Sequence, residues 1–131
     1  MSADNLEVVR LFREAFNRRD RDALRALVHP DFEFVPLMAS VEGRVYRGHD
    51  GLMDAIDEFE GDWETFEVLD EEYRDLGDTV LVLGTWRARG RATGIELDSQ
   101  PGAWVIELRD GLITHTRTYT DRAEGIAAAE Q

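Results

Sequence analysis

The side chains of this 131-residue chain that could exchange a proton near neutral pH are three histidines, His29, His49 and His115. They are scattered along the chain without the short spacing that is typical of a metal site, so we expect no metal and no cofactor. His115 lies in DGLITHTRTY (110–119), where threonines alternate with larger residues as on a strand. Whether His115 faces a pocket or the other side of a sheet decides whether it could act as a base.

The composition excludes several classes of function. The chain has no cysteine, which rules out disulfides, thiol catalysis and cysteine-ligated metals. All 15 basic residues are arginine, so a lysine Schiff base is excluded as well. A formal net charge of -13 would repel a phosphate backbone, and we expect no nucleic-acid partner. No apolar run could span a membrane and the acidic N-terminal segment is unlike a secretion signal, so we expect no membrane partner and a cytoplasmic location.

The first half of the chain has the hydrophobic spacing of helices. Apolar residues recur every three or four positions in residues 5–16 and again in 49–59, which predicts two amphipathic helices. A shorter helix is predicted over 21–28, with Asp20 as its N-cap. A short edge strand and a loop-like stretch over 39–48 separate this helix from the third one.

From residue 64 onward the hydrophobic period changes to two, which predicts strands. The predicted strands are residues 65–75, 79–91, 95–108 and 112–120, the third of them interrupted at Pro101-Gly102. Asp110-Gly111 has the composition of a two-residue hairpin turn, and Asp121 with Glu124 indicates the capped start of a short C-terminal helix. Helices that precede an antiparallel meander favour an α+β fold, with a curved sheet covered on one face.

Four segments in order resemble a known family. They are AFNRRDRDALRALVHPDFEF, VYRGHDGL, DLGDTVLVLGTWRARGRATGIEL and ELRDGLITHTRTYTDRAEGI, and together they cover nearly the whole chain. The chain resembles the SnoaL-like branch of the nuclear transport factor 2-like superfamily. Each segment alone is a weak signal, whereas the ordered set is fairly specific.

The resemblance implies one SnoaL-like domain over residues 1–131. It implies a cone-shaped, curved antiparallel sheet with a mixed edge, three helices from the N-terminal half over one face, and a short C-terminal helix. It also implies a deep pocket between sheet and helices, and a homodimer through the outer face of the sheet. The superfamily includes ketosteroid isomerases, polyketide cyclases, dehydratases, epoxide hydrolases and non-catalytic binders, so the resemblance leaves the chemistry open.

The hairpin turn predicts which residues of the last two strands face each other. A regular two-residue turn pairs Ile106 with His115 and Trp104 with Arg117 on one side, and places Thr118 on the other. Hydrophobicity alone would turn the Trp104 side inward. The resemblance favours the opposite, because the position of Thr118 faces the pocket in related enzymes, and we adopt that assignment.

The predicted outer face is therefore apolar enough to bind a partner. We expect a homodimer through it, with His115 outside the pocket as one of its residues. The predicted dimer residues are Trp104, Ile106, His115, Arg117 and Tyr119. A bulge in the last strand would change this assignment.

The acid–base sets of the related enzymes are not intact in this chain. The positions that match the isomerase donor and acid are Phe12 and Ala103, which are apolar, and the strand that carries its aspartate base reads EFVPLM here. Arg87 lacks the aspartates of the epoxide hydrolases, and Thr118 replaces the final carboxylate. Whether the protein is an enzyme is therefore left open, and no catalytic residue is assigned.

The remaining signal is a set of aromatic and threonine side chains that could form an apolar pocket with a few polar groups. The predicted ligand-binding residues are Phe12, Phe16, Phe34, Tyr46, Trp63, Trp86, Val105, Thr116 and Thr118. We predict a protein that binds a small apolar molecule, such as a steroid-like or polyketide-like compound. The alternative is an enzyme of the cyclase, isomerase or dehydratase type acting on a small hydrophobic, oxygen-bearing substrate.

Overall fold

The computed structural model describes residues 2–35 and 45–130, and within them the chain forms four helices and six strands. The helices are α1 (Ser2–Arg18), α2 (Arg21–Leu27), α3 (Gly48–Asp62) and α4 (Arg122–Ala129). The strands are β1 (Val28–Val35), β2 (Tyr46–Arg47), β3 (Trp63–Asp75), β4 (Thr79–Gly90), β5 (Glu96–Arg109) and β6 (Leu112–Tyr119). None of the described helices is long and apolar enough to cross a membrane.

The six strands form one sheet in the order β2-β1-β6-β5-β4-β3. Every neighbouring pair is antiparallel except β1 and β6, which run parallel.

The predicted α+β fold with a mixed sheet is confirmed. The predicted edge position of β1 is wrong, because β2 pairs with its free side, and the predicted interruption of β5 is absent. Most of the predicted loop over 39–48 lies outside the described residues, up to residue 44.

The main core lies between the helices and the inner face of the sheet. Val9, Phe12 and Ala15 are buried on one stripe of α1, whereas Leu11, expected on the apolar stripe from its spacing, is 40% exposed. The side-chain amide of Asn17 exchanges two hydrogen bonds with the backbone of Val68, of 2.9 and 3.0 Å, and fixes the end of α1 to β3. α1 is thereby held across the inner face.

A smaller core on the outer face holds α4 against β4 and β5. It contains Leu81, Leu83, Ala103 and Ala129. Gly125 lets the helix approach closely, since a Cβ there would lie 2.4 Å from that of Ala103. Part of the outer face is thus covered by the chain's own C-terminal helix, whose predicted cap Asp121 accepts hydrogen bonds from the first helical amides.

A bulge in β3 determines what the inner face carries. Asp70 pairs with Gly84 and Glu72 with Leu83, so Glu71 is an extra residue in this strand. A Cβ on Gly84 would lie 2.2 Å from the carbonyl oxygen of Leu69, so the close approach of the two strands requires glycine.

The extra residue shifts the alternation of side chains along β3. Val68 and Asp70 face inward before the bulge and Tyr73 faces inward after it, which brings Tyr73 and Asp70 into hydrogen-bond contact. A regular strand would place residues 70 and 73 on opposite faces.

Gly84→Ala should destabilise the protein by about 1–3 kcal/mol, because the new methyl group would force the bulged strands apart. Urea unfolding measures the loss. Gly61→Ala is the matched control, since a Cβ there meets nothing within 4 Å and alanine favours a helix. Equal stability of the two variants would contradict the close approach at Gly84.

Candidate functional site

The hairpin of β5 and β6 starts in the predicted register and then shifts by one residue. Leu108 pairs with Ile113 as predicted, but the next pair is Glu107 with His115. Thr114 is therefore an extra residue in β6, and its hydroxyl donates a hydrogen bond of 3.2 Å to the carbonyl of Glu107.

Because of this bulge, the predicted faces of residues 104 and 106 in β5 are wrong. Beyond it, Ile106 lies opposite Thr116 and Trp104 opposite Thr118. The predicted pairing of Ile106 with His115 is wrong, and so is the outward direction of Trp104 and Ile106, which are only 6% and 1% exposed. Thr116 and Thr118 face inward as expected, and the two large apolar residues face inward with them.

The outer face carries the other set. Val105 lies opposite Arg117, so the predicted pairing of Trp104 with Arg117 is also wrong, and Val105 does not face the inner cavity. His115 lies on this outer face, with 48% of its side chain exposed, and its ring is 3.7 Å from the Glu107 carboxylate. The predicted pairings are wrong because Thr114, the extra residue in β6, shifts the register of β5 against β6 by one residue.

A cavity of about 60 Å³ lies between α1, α3 and the inner face of the sheet. Six of the nine predicted ligand-binding residues line it: Phe12, Phe16, Phe34, Trp86, Thr116 and Thr118. Its volume is small beside the roughly 300–1,000 Å³ of sites for drug-sized ligands. The bare cavity therefore suits a small or thin molecule.

The other predicted residues lie elsewhere. The Tyr46 ring packs against Phe34 with ring centroids 6.0 Å apart, behind the cavity wall, and its hydroxyl donates to Glu58. Trp63 contacts Trp86 edge-on at 6.4 Å and lines a separate open groove. These two aromatics support the wall without forming it.

Phe59 and Phe66 also belong to the aromatic wall, although neither is among the predicted ligand-binding residues. Phe66 stacks on Trp86 with centroids 5.3 Å apart and an interplanar angle of 11°, and Phe59 meets Phe66 edge-on at 5.0 Å. The alternation of side chains along β3 places Phe66 on the inner face, because it lies two residues before Val68, which faces inward.

Two polar atoms of the cavity wall have no partner among the described residues. They are the indole Nε1 of Trp86 and the hydroxyl of Thr116, in side chains of residues that are 6% and 5% exposed. A buried donor or acceptor without a partner costs about 1–3 kcal/mol. A ligand that reaches either atom and supplies the missing partner would gain binding free energy from it.

A buried ion pair closes another part of the wall. Arg13, which lines the cavity, donates to both carboxylate oxygens of Asp70 at 3.1 and 2.8 Å, and its guanidinium lies 4.0 Å above the ring of Trp104. Tyr73 donates to the same carboxylate at 2.7 Å. Burial, together with this hydrogen bond and the charge of Asp70, raises the pKa of Tyr73 well above its usual value, so it stays a neutral donor.

No carboxylate or histidine is found among the described residues that line this cavity. Asp70 is behind Arg13 and already bonded to it. His49 contacts the carbonyl of Val28 at 3.1 Å, and His29 accepts from the backbone amide of Asp31. Within residues 2–35 and 45–130, no three acidic or histidine side chains are grouped as metal ligands.

The SnoaL-like domain model matches residues 8–116 of the chain. The chain belongs to the SnoaL-like domain family. The predicted superfamily is thereby confirmed, and the cavity described above lies on the inner face of a SnoaL-like fold. No protein of curated function matches the chain.

Solved structures show the same fold over nearly the full length. An NTF2-like protein of unknown function from Burkholderia pseudomallei is 25% identical, with 98% of each chain covered and a TM-score of 0.80. TerC, co-crystallised with polyporic acid, is 22% identical, with coverage of 98% and 99% and a TM-score of 0.79. A hypothetical protein from Catenulispora acidiphila with a ketosteroid isomerase-like fold, in complex with trimethylamine, is 18% identical, with coverage of 95% and 92% and a TM-score of 0.76.

Asp70→Ala should lower the free energy of unfolding of this SnoaL-like domain by about 3–5 kcal/mol, because Arg13 would keep a buried charge without its partner. Denaturant titration measures the loss, and the double variant Arg13→Met/Asp70→Ala should recover part of it. Glu7→Ala, which breaks the exposed pair with Arg10, should leave stability nearly unchanged. A small loss in Asp70→Ala, similar to that in Glu7→Ala, would show that the pair is not buried.

Proposed function

We propose that the inner cavity binds a small, mostly apolar molecule that carries oxygen, and that binding rather than chemistry is the activity of this SnoaL-like domain. The observation that carries the proposal is the pair of unpartnered polar atoms, Trp86 Nε1 and Thr116 Oγ1, on residues of a mostly apolar wall. An acceptor oxygen of a ligand would satisfy the indole N–H, and a hydroxyl or carbonyl would satisfy the threonine.

The shape of the wall supports a flat ligand. Phe66 and Trp86 present nearly parallel rings, and Trp104 adds a third aromatic surface. Aromatic walls of this kind bind rings through dispersion and burial of apolar area. A cavity of about 60 Å³ beside these rings favours a small molecule over a bulky one.

The structural neighbours give further support. TerC is described with polyporic acid and the Catenulispora acidiphila protein with trimethylamine, so two proteins of this fold have been crystallised with small molecules. A neighbour from Sinorhizobium meliloti, 20% identical, is described as a putative polyketide cyclase. The wider proposal is an apolar, polyketide-like or steroid-like ligand, which would require the cavity to open beyond its volume of about 60 Å³.

An enzyme of the cyclase, isomerase or dehydratase type is the second candidate. Arg13 favours it, because a fixed guanidinium in the cavity wall would stabilise negative charge that develops on a substrate oxygen. Against it, the described wall holds no carboxylate or histidine to take a proton from carbon. We therefore place binding first.

Three further properties belong to this proposal. We propose that residues 1–131 form one domain, which a single unfolding transition would support. We propose a cytoplasmic location, in keeping with a chain that has no cysteine, and cell fractionation tests it.

We also propose a homodimer through the part of the outer face that α4 leaves open, around Val105, His115, Arg117 and Tyr119. The homodimer that the family resemblance implies supports this proposal.

Val105→Arg should weaken this dimer at least about tenfold, because it removes a buried apolar contact and inserts a charge. Sedimentation velocity over a range of concentrations measures the dissociation constant. Leu11→Arg is the matched control, since Leu11 is exposed on α1, away from the outer face. A wild-type monomer at micromolar concentration would end the dimer proposal, and an unchanged dimer in Val105→Arg would place the interface elsewhere.

Acetophenone and α-methylstyrene form a probe pair of nearly identical shape, of which only the first carries an acceptor oxygen. Trp86→Phe should weaken acetophenone binding by about 2- to 10-fold, the range of one net hydrogen bond, and leave α-methylstyrene binding nearly unchanged. Two-dimensional NMR titration measures both affinities.

The matched control changes a threonine outside the cavity. Thr85→Val replaces the outward neighbour of Trp86 on β4 and should not alter the affinity for acetophenone. Absence of acetophenone binding, or an equal loss for both probes in Trp86→Phe, would contradict the proposed function.

A further inference from the structure

Phe66 separates the inner cavity from the open groove that Trp63 lines. Among the described residues, Phe66 alone lines both the cavity of about 60 Å³ and the groove of about 790 Å³. Its ring stacks on Trp86 and meets Trp63 edge-on at 5.7 Å, and Phe66 is partly exposed whereas Trp86 is buried. Phe66 is therefore the side chain whose movement toward the groove would open the cavity.

Movement of Phe66 would make room for a ligand that carries a ring. The closed cavity is smaller than the roughly 150 Å³ of an apolar cavity that binds benzene. If the Phe66 ring turned into the groove, a ligand ring could take its place against Trp86 and form a similar aromatic contact. The groove offers the open space that the displaced ring needs.

Arg19 places a positive charge where the groove meets the cavity wall. It lines the groove, and its guanidinium lies 4.4 Å over the ring of Phe16, which lines the cavity. Its two terminal nitrogens donate to the backbone carbonyls of Phe16 and Phe66, the second bond being 2.9 Å long. Among the residues that the structure describes, no carboxylate forms an ion pair with Arg19.

The charge of Arg19 is kept at this place at a cost. The φ of Arg19 is 56°, in the left-handed region that glycine usually occupies directly after a helix. Burial lowers the pKa of Arg19, and the opposing effect of the nearby Glu60 charge is smaller. An anionic ligand group would therefore neutralise a half-buried charge that lacks a carboxylate partner.

The other charges of the groove leave room for an anion at this position. Four of the five carboxylates that line the groove form ion pairs with Arg21, Arg87 or Arg89. The side chain of Arg91, like that of Arg19, donates only to backbone carbonyls in the described part of the chain. The groove thus holds two arginines without a carboxylate partner, although the chain as a whole is acidic.

We propose that Phe66 gates the inner cavity and that the ligand is a small carboxylate, whose apolar ring replaces the Phe66 ring against Trp86 while its carboxylate binds Arg19. This inference rests on the proposed binding function and narrows its ligand to an anion. Because Arg19 already contacts the backbone of Phe66, a short linker between ring and carboxylate is enough.

3-Phenylpropionate and 3-phenylpropanamide test the charge, because they share one shape and only the first is an anion. Calorimetric titration of the wild type should give an affinity for the carboxylate at least about 5-fold higher. Arg19→Gln should remove this preference, and so should Arg19→Gly, which suits the left-handed backbone. Arg25→Gln is the matched control, since it removes the same charge from an exposed position on α2 and should keep the preference.

The rate of binding tests the gate. Phe66→Leu should raise the association rate constant of 3-phenylpropionate about 5-fold or more, because the smaller side chain leaves the cavity open. NMR line-shape analysis of the titration measures this constant. Phe34→Leu is the matched control, since Phe34 lines the cavity and not the groove, and its rate should stay within about 2-fold of the wild type.

A second measurement uses the unaltered protein, so the test does not depend on how the variants fold. At saturation, 3-phenylpropionate should shift the NMR signals of the Phe66 ring and of the Arg19 Nε–H. The amide should shift the Phe66 signals and leave the Arg19 signal nearly in place.

The outcomes separate the inference from the proposed function. If the amide binds as tightly as the carboxylate while acetophenone binding still depends on Trp86, the anionic ligand is wrong and the binding function stands. An equal loss in Arg25→Gln and Arg19→Gln would overturn the Arg19 site, and an unchanged association rate in Phe66→Leu would overturn the gate. If acetophenone and both phenylpropanoid compounds fail to bind, the proposed function itself fails.

Discussion

The alternation of side chains along a strand is the constraint on which this cavity depends, and two single-residue bulges set it. Glu71 in β3 brings Asp70 and Tyr73 to the same side of the sheet, and Thr114 in β6 does the same for Thr116 and the Trp104 side of β5. Without the first bulge Tyr73 would leave the inner face. Without the second, the threonines and Trp104 would face opposite sides, and the cavity would lose either the two threonines or Trp104.

The same geometry allows a charge to be buried in an apolar wall. Arg13 lies on the side of α1 that faces the sheet, where its guanidinium would be costly if it had no partner. Asp70 compensates the charge, Tyr73 satisfies a further carboxylate lone pair, and the Trp104 ring covers the guanidinium. The pair is close to neutral as a unit, so the cavity stays apolar while it retains a fixed dipole.

The sequence predicts the elements and the family well, because helical and strand periods, caps and the hairpin turn are local signals. It does not predict the faces of the last hairpin. Hydrophobicity alone places Trp104 inward and the family resemblance places Thr118 inward; both assignments hold, and only an extra residue reconciles them. The sequence ITHT is compatible with a regular strand and equally with a bulged one, since Ile113 and Thr114 are each acceptable on either face. Arg13 was missed for a related reason: its burial depends on Asp70, 57 residues away.

The polar groups around the cavity differ in kind from those of an acid–base site. Trp86 offers an N–H, Thr116 and Thr118 offer hydroxyls, and Arg13 offers a guanidinium, all of which hold their protons at neutral pH. Such groups bind and polarise an oxygen, but none of them can remove a proton from carbon. Among the described residues, the groups that line the cavity therefore suit the proposed binding of an oxygen-bearing molecule, and none of them supplies a base.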